Sequence, residues 1–196
     1  MTNAGDLLLW GSFKKGDWEA YSRLYDSYFG ILNNYGYKFT RERKLIEDAV
    51  HDLFVRLWTT RERLSNPASV RNYLFKSLRH ILIRKLKKEE KFTDIDGQEY
   101  PQAFSINYVS ETLKRIEDRE LQARIRSYIE TLPPRQQEII YLRFYEGLSY
   151  EEIADIMSIH VNSAYKLLYK ALDNLQNTFG PSPSLCILLS LKLFLQ

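Results

Sequence analysis

The chain has one cysteine, Cys186, among its 196 residues. No intrachain disulfide is possible, which points to a reducing, cytoplasmic setting. Three scattered histidines and that one cysteine give no metal-ligand spacing, so no metal or other cofactor is expected. The few glycines form no phosphate-cradling loop, and no nucleophile–base pair or paired-acid pocket is readable. No enzymatic activity and no small-molecule substrate are therefore expected. The opening residues, MTNAGDLLLWGSF, carry no basic leader and no apolar run of signal-peptide length. The stretch Leu185–Gln196 is mostly apolar, but Lys192 interrupts it and it falls short of the roughly 20 residues a spanning helix needs. It reads as a short helix packed on the body or on a partner. Net charge is small as well, only +3.

That small total hides a polarised chain. Residues 1–92 carry 18 basic and 11 acidic side chains, a net of +7. Residues 93–127 and 128–196 each carry 5 basic and 7 acidic side chains, a net of −2. A basic block suits an anionic partner, and equally a solubilising surface. The apolar pattern is helical nearly throughout. The fold class is all-α: two helical domains joined by a linker, the C-terminal one containing a helix-turn-helix. Residues 1–91 form the first domain, 92–110 the linker, 111–180 the second domain and 181–196 an apolar tail.

Within the first domain the spacing predicts helices over about Asp6–Lys15, Asp17–Tyr37, Arg41–Arg63 and Val70–Glu90. Gly16 ends the first and Asp17 caps the second. Ala20, Leu24, Tyr28, Ile31 and Leu32 share one face of the second helix. Leu45, Ile46, Ala49, Val50, Leu53, Phe54, Leu57 and Trp58 form a stripe on the third, opposite Glu47, Asp48, His51, Asp52 and Arg56. Asn66-Pro67 marks a loop over Leu64–Ser69. In the second domain, helix resumes over about Glu111–Thr131. Pro133-Pro134 starts another, which runs to about Tyr145 and stops at Gly147. Ser149 and Glu152 form a capping box.

Two constellations bear on function. The helix Tyr150–Met157, the turn Ser158-Ile159-His160 and the helix Val161–Gln176 have the spacing of a helix-turn-helix. Asn162, Ser163, Tyr165, Lys166, Tyr169 and Lys170 lie outward on its second helix, able to reach phosphates or base edges. A helical hairpin with a solvated polar face has the same spacing. Ser158 stands in the turn where glycine would best tolerate a positive φ. The other constellation is a basic stripe of Lys76, Arg79, His80, Arg84 and Lys87. It follows a loop bearing Ser65, Asn66, Ser69 and Arg71, and Tyr73 begins its helix. Cations beside aromatic and amide groups suit a partly unstacked strand. The bland alternative is an amphipathic surface helix with Tyr73 and Phe75 in the core.

Four segments together resemble bacterial RNA polymerase sigma factors of the extracytoplasmic-function group: GDWEAYSRLYDSY, LIEDAVHDLFVRLW, SVRNYLFKSLRHILI and LPPRQQEIIYLRFYEGLSYEEIADIMSIHVNSAYKLLYKAL. They cover about residues 6–90 and 112–178, in order. The resemblance implies a promoter-specificity subunit that directs core RNA polymerase and helps melt the −10 element. It implies polymerase binding through Asp48, Asp52, Arg56 and exposed parts of Leu53 and Trp58. It implies that Leu64–Arg71 holds a flipped −10 base. Tyr73, Lys76, Arg79, His80 and Arg84 would then track the strand. It implies −35 reading through Asn162, Ser163, Tyr165, Lys166, Tyr169 and Lys170. Its partners would be core RNA polymerase, promoter DNA and an anti-sigma factor, which this family commonly meets at the membrane. Two departures stand out: His80 replaces the usual asparagine, and Ser163-Ala164-Tyr165 replaces Thr-Val and a basic residue. A free-standing dimeric helix-turn-helix regulator and a helical adaptor built around the apolar tail remain the competing readings.

Overall fold

The computed structural model describes residues 3–88, 92–95, 98–101 and 127–179. The chain divides near Ala103 into two compact units. The apolar tail 181–196 with Cys186, the linker beyond 101, and all but the last residues of the helix expected over 111–131 lie outside the described residues.

The first unit is a four-helix arrangement: α1 (Asn3–Lys14), α2 (Trp18–Gly36), α3 (Arg43–Thr60) and α4 (Val70–Lys88). Gly16 ends α1 with φ +92°, a backbone state that only glycine adopts without cost. Asp17 then caps α2, its Oδ1 accepting from the N–H groups of Glu19 (3.0 Å) and Ala20 (3.1 Å). Leu24, Tyr28 and Leu32 are buried as the spacing predicts. Ile31 is not: it is 38 % exposed, although its angle around the helix falls between those of the buried Ala20 and Leu24. Gly36 is where α2 and α3 close on each other. A Cβ there would lie 2.5 Å from Ile46 Cγ2.

The α3 stripe Leu45, Ile46, Ala49, Val50, Leu53, Phe54 and Leu57 is wholly buried. It meets Leu74, Phe75, Leu78 and Leu82 of α4 in a core that also takes Trp10, Phe13, Tyr35 and Phe39. Each such large side chain contributes about 1.5–3 kcal/mol by leaving water. One polar pair enters this interior. The Tyr28 hydroxyl donates to Asp6 Oδ2 at 2.6 Å. Burial, reinforced by that carboxylate, pushes the phenol well above its ordinary range, so it keeps its proton. A 3₁₀ turn, Arg61–Arg63, leads into the expected loop. Ser69 starts α4, its Oγ accepting from the Asn72 N–H at 3.3 Å.

The linker carries structure that its composition concealed. β1 (Phe92–Ile95) pairs antiparallel with β2 (Gln98–Pro101), in a register that sets Phe92 opposite Pro101 and Ile95 opposite Gln98. The residues between the strands are Asp96-Gly97, one of the dipeptides favoured in two-residue hairpin loops.

In the second unit, residues 127–130 are helical and α5 (Pro134–Ile140) opens on a proline whose missing N–H costs nothing there. The helix then widens into a π turn, Tyr141–Tyr145, and the Glu146 N–H donates to the Tyr141 carbonyl at 3.1 Å. Gly147, φ +68°, stops it. The capping box forms in both directions: Ser149 N–H to Glu152 Oε2 at 2.7 Å, and Glu152 N–H to Ser149 Oγ at 3.2 Å. It launches α6 (Tyr150–Met157). The turn follows, with Ser158 at φ +55° and the Ile159 N–H donating to Ala154 O at 2.9 Å. α7 runs over Val161–Phe179, one turn past the expected end. Ile153, Ala154, Met157, Ala164 and Leu168 are buried, and Asn174 Nδ2 donates to Gln136 Oε1 at 2.9 Å, tying α7 to α5. Both units are helical at their cores, and among the described residues no helix is long and apolar enough to cross a membrane.

Candidate nucleic-acid interface

Helical geometry sorts the basic side chains of α4. At about 100° per residue, Tyr73, Lys76, His80, Arg84 and Lys87 fall on one arc. His80, Arg84 and Lys87 are exposed, and Tyr73 and Lys76 half-buried. Arg79 does not belong with them. It shares the arc of Asn72, Phe75, Leu82 and Leu86, and is only 6 % exposed. The expectation that Arg79 faces outward is thus corrected: its angle, not its charge, decides. His80 is held below its ordinary pKa by burial first, then by Arg79 and Lys76. At neutral pH the stripe therefore presents Lys76, Arg84 and Lys87 as cations around an uncharged imidazole.

The loop before α4 is held from α1. The Trp10 Nε1–H donates to the Ser65 carbonyl at 3.2 Å, and Lys14 Nζ donates to Asn66 Oδ1 at 3.0 Å. The Trp10 ring also meets Tyr73 edge-on at 5.1 Å. Ser65 and Asn66 stay exposed, so the loop offers polar edges from a pinned backbone. Ser69 spends its hydroxyl on capping α4. The Arg71 guanidinium lies over the Phe75 ring, 5.5 Å from its centroid. Trp10 and Lys14 are thus positioning residues that sequence reasoning missed.

On α3, Asp48, Asp52 and Arg56 face solvent as expected. Asp52 pairs with Lys85 of α4 at 2.8 Å. Leu53 offers no exposed part: it is 2 % exposed and belongs to the core, on the arc of Ala49 and Leu57. Trp58 is half-buried in an aromatic cluster with Trp18 (5.1 Å, edge-on) and Tyr21 (5.0 Å). The Arg61 guanidinium covers Trp58 at 4.7 Å and donates to its carbonyl at 2.8 Å.

On α7, Asn162, Ser163, Tyr165, Lys166, Tyr169 and Lys170 are all exposed, away from the buried Ala164 and Leu168. Tyr165 stacks on Tyr150 with ring centroids 3.6 Å apart. Burial raises the Tyr150 phenol above its ordinary pKa, so the ring stays neutral. The Glu151 carboxyl is held below its ordinary range by hydrogen bonds from its own backbone N–H and the Ser149 hydroxyl. That anion at the entry to α6 adds to the acidic balance of this half. Among the described residues no group of His, Cys, Asp or Glu is arranged to hold a metal ion.

Residues 24–92 match the family Sigma-70 region 2, and residues 122–175 match Sigma-70, region 4. RNA polymerase sigma factor SigV of Bacillus subtilis is 30% identical over 125 residues, covering 64% of this chain and 70% of that protein. RNA polymerase sigma factor YlaC, also of Bacillus subtilis, is 25% identical over 76% of this chain and 85% of its own length. Among solved structures, CnrH in complex with the cytosolic domain of CnrY shares the fold. Its TM-score is 0.59 at 19% identity, over 89% of this chain and 96% of that one.

Proposed function

Because this chain belongs to the extracytoplasmic-function sigma factors of the sigma-70 family, it directs RNA polymerase to specific promoters, and we propose the following division of that work among its residues. Residues 1–91 bind polymerase and the −10 element, 92–110 link, 111–180 bind the −35 element and 181–196 form a separate apolar tail. Asp48, Asp52, Arg56 and the accessible edge of Trp58 engage core polymerase. Ser65, Asn66 and Tyr73 receive an unstacked −10 base, on a loop already held by Trp10 and Lys14. Flipping such a base costs a few kcal/mol, in order of magnitude, and a preformed pocket recovers it without paying again for loop ordering. Lys76, Arg84 and Lys87 track phosphates beside it and so help melt the −10 region. Asn162, Ser163, Tyr165, Lys166, Tyr169 and Lys170 enter the −35 major groove.

The observation that carries this reading is the pairing of a pinned polar loop with a one-sided cationic stripe, in the same chain as a helix-turn-helix whose half is net acidic. A −2 segment holds duplex DNA weakly alone, which favours DNA binding in company with polymerase. The protein has no reaction of its own and works in the cytoplasm. Its further partner is an inhibitory anti-sigma factor held at the membrane, in keeping with CnrH, which is seen bound to another protein's cytosolic domain. Transcription in vitro with core polymerase, followed by sequencing of start sites, tests the reading. Initiation from a shared −35/−10 pattern is expected. Tight duplex binding without polymerase, and no initiation with it, would overturn it.

A further inference from the structure

Position 165 of the recognition helix carries an aromatic ring where the family resemblance leads one to expect a cation, and the fold holds that ring still. Tyr165 and Tyr150 stack at 3.6 Å with an interplanar angle of 23°. Tyr150 is itself fixed: it is buried on α6, with the Arg143 guanidinium 5.1 Å from its ring centroid. Arg143 is anchored in turn, its Nη1 donating to Leu148 O at 2.7 Å. The π turn, the start of α6 and the second turn of α7 are thereby tied through one stack. Tyr165 nevertheless stays 38 % exposed, so one ring face is covered by Tyr150 while the remainder is open beside Asn162, Lys166 and Tyr169.

We infer that Tyr165, backed by Tyr150, reads a thymine in the −35 element by setting its open ring face against the thymine 5-methyl group. This rests on the reading that α7 enters the major groove. The chemistry selects the ligand. An aromatic face is electron-rich, so it repels a phosphate and accepts a C–H group. Among the base edges of the major groove, the thymine methyl is the apolar feature that distinguishes one base pair from the others. A ring clamped against a second ring cannot swing out to follow the backbone as a lysine would. Its contribution is shape at one base pair rather than charge along the strand. Tyr150 is the positioning residue, and its ring rather than its hydroxyl does the positioning.

The test uses full-length protein with core polymerase, on a promoter in which each −35 thymine of either strand is replaced in turn by deoxyuridine. That replacement removes only the methyl group. At one position wild-type binding is expected to fall by about fourfold, the equivalent of ~0.8 kcal/mol for one buried methyl-sized group. Tyr165→Ala should bind thymine and deoxyuridine there equally, and Tyr165→Phe should discriminate as wild type does. Tyr150→Phe should keep the discrimination and Tyr150→Ala should lose most of it. If no deoxyuridine matters while scrambling the −35 element abolishes initiation, the inference fails and the proposed function stands. If scrambling the −35 element has no effect, the proposed function itself fails. If Tyr165→Phe loses as much as Tyr165→Ala, the contact is a hydroxyl hydrogen bond and the inference is overturned. If an alanine variant does not fold, Tyr165→Lys, which also removes the ring at this exposed position, should bind thymine and deoxyuridine equally, and retained discrimination there overturns the inference.

Discussion

Two arginines five residues apart on α4 should fail in opposite ways. Arg84 is exposed on the outward arc, and Arg79 is 6 % exposed on the inward one. If Arg84 neutralises one phosphate, Arg84→Ala lowers the slope of log affinity against log salt by about 0.7 for a single strand or about 0.9 for duplex. Between about 50 and 200 mM salt that amounts to roughly a threefold smaller loss of binding in the variant. Its thermal midpoint should not move, because an exposed side chain away from the core changes stability by no more than about 0.5 kcal/mol. Arg79→Ala removes a buried polar group and strands the groups around it, at a cost of about 1–3 kcal/mol. For a unit of this size each kcal/mol lowers the midpoint by roughly 4–8 °C, while the salt slope keeps its wild-type value. The assay is promoter binding by the holoenzyme across a salt series, with melting followed by circular dichroism. A reduced slope with unchanged melting for Arg79→Ala would refute the assignment of Arg79 to the interior.

Four further outcomes follow from the geometry. Ser158→Gly should stabilise the second unit by roughly 0.5–1 kcal/mol, because the left-handed backbone costs a non-glycine residue ~1–2 kcal/mol and glycine returns part of that as unfolded-chain entropy; calorimetry checks it. Ser149→Ala should cost about 1 kcal/mol, and adding Glu152→Ala should cost less than the two single changes together, since both belong to one reciprocal cap; a double-mutant cycle in denaturant measures this. Gly36→Ala should destabilise the first unit by about 1–3 kcal/mol, because the new methyl meets a buried branch of Ile46 rather than a flexible tip; a normal melting curve would contradict that. His80→Asn should remove an acid sensitivity. The folded pKa of His80 lies below the unfolded 6.5, so the unfolded chain binds the proton more readily. Wild-type stability then falls as pH drops below that value, and the loss is complete below the folded pKa. The variant's midpoint should gain on wild type between about pH 7.5 and about pH 5.5, and a constant gap would contradict the shift.

What could be read without coordinates is what repeats every 3.6 residues. The α3 stripe, the α6–α7 spacing and the capping box depend on local periods and on hydrogen bonds spanning three residues, so they stood in plain view. Arg79 was readable too, had it been assigned by its angle around the helix rather than by its charge; Leu53 stood in the buried stripe by its spacing, and only the family resemblance expected part of it to be exposed. The hairpin at 92–101 was hidden because a short polar stretch with glycine and proline looks like linker, although Asp96-Gly97 was the signal to weigh. No local period could have disclosed the hold of α1 on the loop. Trp10 and Ser65 are 55 residues apart, and Lys14 and Asn66 are 52 apart, so only the fold brings them together. The Tyr150–Tyr165 stack is of the same kind, since neither tyrosine alone announces a partner on the neighbouring helix.

The aromatic cluster of the first unit has a practical consequence. All three tryptophans of the chain, Trp10, Trp18 and Trp58, lie in that unit, and the second unit is rich in tyrosine but has no tryptophan. The two halves therefore carry different chromophores. Emission excited at the red edge of the absorption band comes from the first half alone. Within it, Trp10 is enclosed, Trp18 is largely exposed, and Trp58 sits on the helix proposed to meet polymerase. Assembly with polymerase and the melting of the first half can thus be followed in the intact chain by its own light, with no label added and no domain cut away.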